Sequence, residues 1–247
     1  MPRARGYAPF AVTPESAALV RRIVAHAQAA GPGHVAVLDL DGCLFDTRPR
    51  QIHIFHEHAA RPGMEPLARV RAEHLTDWSI PGALRRAGLP EDFVAANSDA
   101  VRRFWAERFF RSTYVVHDHA MPGAPGLVRA LYDAGLHVVY LTGRDEGMRP
   151  GTEEALRRFA FPFDAERTAL VMKPEAHADD TTFKEGALAA ISELGRVVLY
   201  LDNEPANVNV FTRVHPEALV VFVETDHSPR RDEPDPRLPW LRSFLTA

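Results

Sequence analysis

The sequence predicts an α/β protein, a doubly wound parallel sheet interrupted by an inserted helical cap. Five short apolar runs, at residues 35–40, 137–141, 168–172, 196–201 and 218–223, have the length and character of strands buried on both faces. Helical patterns separate consecutive members of the later four, and Gly135 and Gly195 stand where helix C-caps belong, immediately before a strand. Between the first run and the second lie roughly a hundred residues, far more than a crossover helix needs.

In chain order, Thr13-Pro14-Glu15 reads as an N-cap with proline at the first helical position, and the alanine-rich run to Ala30 stops at Gly31-Pro32-Gly33. A leading helix is therefore expected before the strand at 35–40. Residues 48–115 show no convincing β pattern but carry helix-like stretches at 53–60, 67–75 and 92–110, and are read as the cap. Pro122-Gly123-Ala124-Pro125-Gly126 leads back into a core made of residues 1–47 and 116–247, with helices expected at 127–134 and 183–194. Residues 226–239 are charged and proline-rich. They predict an extended surface segment, after which Trp240, Leu241, Phe244 and Leu245 return to the core. There is no internal repeat or low-complexity tract.

Apolar residues at 46% and charged residues at 25% are ordinary for a globular chain of 247 residues. A formal net charge of -4 gives nucleic acid or an anionic membrane no general attraction. The one cysteine, Cys43, excludes an intramolecular disulfide and fits a reducing compartment, so the cytoplasm is the expected location. Residues 1–12 carry arginines but no continuous apolar region follows them, and no stretch has the length of a membrane span. Oligomeric state is not readable here.

Asp39-Leu40-Asp41-Gly42 sits where the first strand ends, and residues two apart on a strand project to one side. Two carboxylates in one cleft can divide nucleophilic attack on phosphorus from acid and base work. Alone, the pattern is equally well explained as a turn. Thr142-Gly143-Arg144, ending the second strand, offers a hydroxyl, an unobstructed N–H and a guanidinium to phosphate oxygens. After the third strand Lys184 opens a helix, with Lys173 a rival for the role of charge neutraliser. The fourth strand ends in Asp202-Asn203, with Asn207 nearby, and Asp39 and Asp202 could jointly hold Mg²⁺. Cap aromatics Trp78, Phe93, Phe104, Trp105, Phe109 and Phe110 read as cap core, and His53, His56, His58, His117 and His119 as exposed helix and hinge positions.

These four motifs, in this order at successive strand ends, resemble the haloacid dehalogenase-like (HAD) hydrolase superfamily over residues 35–47 and 120–223. The resemblance implies a Rossmann-like core with a type 1 cap, and a phosphatase using Mg²⁺. It implies Asp39 as nucleophile, Asp41 as general acid and base, Thr142 as phosphate ligand, and Lys184 as charge neutraliser. Asp39, Asp202 and the Asp41 backbone carbonyl would be the metal ligands. Cys43 and Asn203 depart from the family pattern, which commonly has threonine and a second acid there. Arg48, Arg50 and His53, near the cap entrance, are candidate substrate contacts. The expected partner is a small phosphorylated molecule. A phosphotransferase or phosphomutase shares the acid pair, and a non-catalytic module sensing a phosphorylated ligand shares the fold. Carbon–halogen hydrolysis would leave Asp41 without a leaving-group alcohol to protonate.

Overall fold

The computed structural model describes residues 12–175, 177–227 and 232–246; residues 1–11 and residues 228–231 of the proline-rich stretch lie outside the described residues. Helix α1 (Pro14–Ala30) begins with a capping box in which Thr13 and Ser16 satisfy each other's backbone N–H groups, and it leads into β1 (His34–Leu38). A short pair, β2 (Phe45–Asp46) and, much later in the chain, β3 (His119–Ala120), runs antiparallel and closes the base of the insertion. Between them come α2 (Arg48–Ala59), α3 (Ile80–Arg86) and α4 (Glu91–Phe109).

The chain continues through α5 (Ala124–Asp133), β4 (His137–Asp145), α6 (Arg149–Arg158), β5 (Thr168–Lys173), α7 (Asp180–Ser192), β6 (Arg196–Asp202), α8 (Pro205–Val214), β7 (Leu219–Val223) and β8 (Trp240–Leu241). The described strands form a six-stranded sheet in the order β5-β4-β1-β6-β7-β8, parallel throughout. Alternation along each strand sends side chains to two layers. Ala36 and Leu38 of β1 join a cluster with Ile23 of α1, Leu131 of α5 and Leu156 of α6. Val35 and Val37 join the opposite cluster, with Leu188 of α7 and Phe211 of α8. Both faces are covered, which is why these strands read as unbroken apolar runs.

The insertion has an apolar cluster of its own, built on Phe55, Leu84, Phe104, Trp105 and Phe109. Two details differ from expectation. The segment expected as a helix at 67–75 is two 3₁₀ turns, Glu65–Arg69 and Ala72–His74, separated by extended backbone at Val70 and Arg71. Tight turns bury Leu67, Val70 and Leu75 together, and this burial outweighs helix propensity. Helix α3, unmarked by any strong periodicity, starts at a Ser79 cap with Pro81 in its first turn. At the other end of the chain Leu241 returns to the core in a short edge strand beside β7 and Phe244 is buried, whereas Trp240 and Leu245, expected to return with them, stay exposed. No helix among the described residues is long and apolar enough to cross a membrane.

Candidate active site

In a doubly wound sheet the crevice lies beyond the carboxyl ends of the strands where their order reverses, which here falls between β1 and β6. Asp39 follows β1, its N–H donating to the Leu201 carbonyl at 2.9 Å, and Asp202 closes β6. Lys184 heads the buried stripe of α7, one and two turns before Leu188 and Ile191, so packing of that stripe delivers its ammonium to the crevice. Lys184 Nζ donates to Asp39 Oδ1 at 2.5 Å and to Asp202 Oδ2 at 2.7 Å. Asp202 is further fixed by the Tyr200 hydroxyl, by Asn207 Nδ2 at 3.0 Å and by the Glu204 N–H at 2.7 Å.

Two buried carboxylates thus share one ammonium. Burial opposes the charge on Lys184, but Asp202 and Asp39 outweigh it and keep the amine protonated. Burial also raises the Asp39 carboxyl well above its usual range; Lys184 pulls it back, and the negative neighbour Asp202 pushes it up again. With both carboxyls ionised, the cluster holds one negative charge more than Lys184 offsets. Beside it the buried Asn203 leaves Oδ1 without a hydrogen-bond partner, while its Nδ2 donates to the Asp226 carbonyl at 2.7 Å. Surplus charge and an unpaired oxygen suit a hard cation with oxygen ligands. Among the described residues no group of three or more His, Cys, Asp or Glu gathers as a ready-made cage.

Gly42 holds the turn in which Asp41 lies. Its φ is +75°, and a Cβ there would come within 2.2 Å of Asn203 Nδ2. Cys43, next along, is buried, and its thiol is pushed well up by burial and by Asp39 and Asp202, so it is an inert packing residue.

Asp41 belongs to a second charged cluster. Arg144 Nε donates to Asp41 Oδ1 at 2.9 Å and Nη2 contacts the same oxygen; Nη2 also donates to Asp118 Oδ2 at 2.7 Å, and Nη1 to Thr152 Oγ1 at 3.1 Å. Arg50, reaching down from α2, lies 3.4 Å from both Asp41 oxygens, pairs through Nε with Asp118 Oδ1 at 2.9 Å, and donates from Nη1 to the Phe109 carbonyl at 2.8 Å. Both Arg50 and Asp118 have side chains that are 0% exposed. Burial works against the Asp41 charge, but Arg144 and then Arg50 outweigh it, so its carboxyl sits below the usual range.

The structure brings Asp39, Asp41, Thr142, Gly143, Arg144, Lys184 and Asn203 to one cleft of about 260 Å³. Several expectations need correction. Arg144 lines the cleft, but its guanidinium is committed to Asp41, Asp118 and Thr152, not held out as a free phosphate ligand. Lys173 donates to Asp180 at 2.6 Å and to the Ala178 carbonyl at 3.0 Å, leaving Lys184 the ammonium that meets Asp39. Arg48 pairs with Asp46 at 2.6 Å, Arg50 is buried in the acid cluster, and His53 stacks on His117 at 3.7 Å; none of the three lines the cleft. His58 is buried against Phe104, at 3.9 Å between ring centroids, and is not an exposed helix position. Trp78, Phe109 and Phe110 face the cleft as well as packing within the insertion.

Arg50, Asp118, Thr152 and Tyr200 were not singled out as a supporting set by the sequence. Tyr200 had a readable signal, since it lies two residues before Asp202 on one strand and so on the same face. Arg50 and Asp118 had none, because only the fold brings them together.

No family model matches this sequence, and no curated protein matches it. Among solved structures, protein tyrosine kinase A (PtkA) of Mycobacterium tuberculosis is similar with a TM-score of 0.51 and 18% identity, over 86% of this chain and 94% of that one. A dehalogenase is similar with a TM-score of 0.49 and 15% identity, over 85% of this chain and 93% of that one. A CbbY variant from Rhodobacter sphaeroides in complex with xylulose-(1,5)bisphosphate has a TM-score of 0.47 and 16% identity, over 86% of this chain and 95% of that one. At such identities the likeness is one of fold. The likeness to PtkA, over 86% of this chain, is therefore one of fold, and in this chain that fold is a parallel α/β core with a helical insertion after the first strand.

Proposed function

We propose that the protein hydrolyses small phosphate monoesters through a phosphoryl group carried transiently on Asp39. The observation that carries this reading is Lys184, clamped at 2.5 Å and 2.7 Å between Asp39 and Asp202 in a cleft that Asp41, Thr142 and Gly143 share.

Asp39 attacks phosphorus, forming the new P–O bond as the ester P–O bond breaks, and Asp41 gives its proton to the departing alkoxide. Water then attacks the phosphorus, Asp41 accepts a proton from it, and Asp39 and inorganic phosphate are released. Arg144 and Arg50 favour the ionised Asp41 that the second half requires. A phosphate dianion arriving in the cleft raises the proton affinity of Asp41, as the first half requires. Lys184 offsets charge on the phosphoryl oxygens, and the Thr142 hydroxyl and Gly143 N–H orient them.

Asp39, Asp202, Asn203 and the Asp41 carbonyl would hold Mg²⁺. When bound, that ion supplies positive charge that favours ionised Asp39 and stabilises the charge of the transferring group. Phosphate release from p-nitrophenyl phosphate should therefore fall to background after EDTA treatment and return on addition of Mg²⁺. Full activity in metal-free protein would sink this part of the reading. Phosphoryl transfer to an alcohol shares the first half-reaction; with added glycerol, appearance of glycerol phosphate in place of inorganic phosphate would assign the protein as a transferase.

A further inference from the structure

The half of the cleft that would receive the rest of the substrate has a distinct chemistry. The residues that the insertion contributes to it are Trp78, Phe109 and Phe110. They form one packed wall: Phe109 meets Trp78 and Phe110 edge-on, with centroids 5.2 Å apart in each case, and stacks on Trp105 at 4.4 Å. Arg50 lies over Phe109 at 3.9 Å, tying the wall to the acid cluster below. Phe110 is 47% exposed, an unusual position for a large apolar side chain unless something covers it.

The one polar group of the wall is the Trp78 indole N–H, which is buried, so a polyhydroxylated leaving group would meet almost only aromatic carbon there and forfeit hydrogen bonds it makes in water. A second anionic group fares no better. The cleft cations are Lys184, spent on Asp39 and Asp202, and Arg144, spent on Asp41 and Asp118, and the lining holds four carboxylates against these two. An aromatic ring would find edge-to-face partners in this wall. A cleft of about 260 Å³ is also small; it falls below the roughly 300–1,000 Å³ usual for small-molecule sites.

We infer that the substrate is the monophosphate of a compact, ring-bearing aromatic alcohol, in place of a sugar phosphate or a bisphosphate. This rests on the phosphatase reading, and the two fail separately in the following test. Non-hydrolysable phosphonates report binding whether or not the protein turns over. The dissociation constants of benzylphosphonate and 2,3-dihydroxypropylphosphonate are measured by calorimetry with wild-type protein in the presence of Mg²⁺. Benzylphosphonate is expected to bind at least about tenfold tighter, from burial of its ring. In Phe110→Ala, whose side chain is half exposed so that truncation spares the core, this ratio should fall below about threefold. Equal or tighter binding of the dihydroxypropyl compound to wild-type protein overturns the inference, as does an undiminished ratio in Phe110→Ala. Selectivity for benzylphosphonate without turnover of any phosphate ester overturns the phosphatase reading and supports the inference. Turnover without that selectivity does the reverse.

Discussion

Asp39→Asn should lower phosphatase turnover by at least about 10⁴-fold, the scale at which loss of a covalent nucleophile is felt. The substitution keeps the size of the side chain and one oxygen for Lys184 and removes the negative charge that attacks phosphorus. Because Asp39 is buried and shares its ammonium with Asp202, the folded state loses a charge it was holding at a cost, so the variant should remain folded. The expected result is therefore an inactive protein with an unchanged circular dichroism spectrum. Retained turnover would remove Asp39 from the chemistry.

The largest effect on stability is expected at Arg50. Replacing it with methionine keeps the apolar stem but removes a buried guanidinium from between Asp118 and Asp41, and the donor to the Phe109 carbonyl goes with it. Asp118 is then left buried with Arg144 as its remaining cation, and Arg144 must also serve Asp41. Breaking a buried pair from one side typically costs about 3–5 kcal/mol, a large share of the 5–15 kcal/mol that holds an ordinary domain together. Urea denaturation should show that loss. The comparison is Arg85→Met, which breaks a shorter but exposed ion pair with Glu91, at 2.6 Å, and should leave the midpoint where it was. If the two variants behave alike, the buried cluster does not hold the insertion to the core.

Much of the core was readable from the chain because its central strands are buried on both faces and helices α5 and α7 each run into a glycine shortly before the next strand. The motif acids were readable for a related reason. Strand ends in a parallel sheet converge on one edge, so Asp39, Thr142 and Asp202 had to approach one another once the strand order was known. Lys184 was readable as a helix-start lysine able to meet the nucleophilic carboxylate, but its second contact, to Asp202, depends on how α7 packs. The reading was poorest where single residues from distant segments meet. Arg144 looked like a phosphate ligand because a guanidinium after a strand suits phosphate; nothing local shows that Asp118 and Thr152 lie within its reach. Phe110 looked like cap core because hydrophobic pattern does not distinguish a wall facing a cleft from one facing other side chains.

The central claim is the phosphoryl group on Asp39, and the most direct measurement is acid quenching within milliseconds of mixing with p-nitrophenyl phosphate and Mg²⁺, followed by peptide mass spectrometry. A phosphoryl adduct on the peptide carrying Asp39, localised to that residue and lost in Asp39→Asn, is the predicted result. Release of p-nitrophenol with no adduct on Asp39, or with the adduct on another residue, would contradict the account.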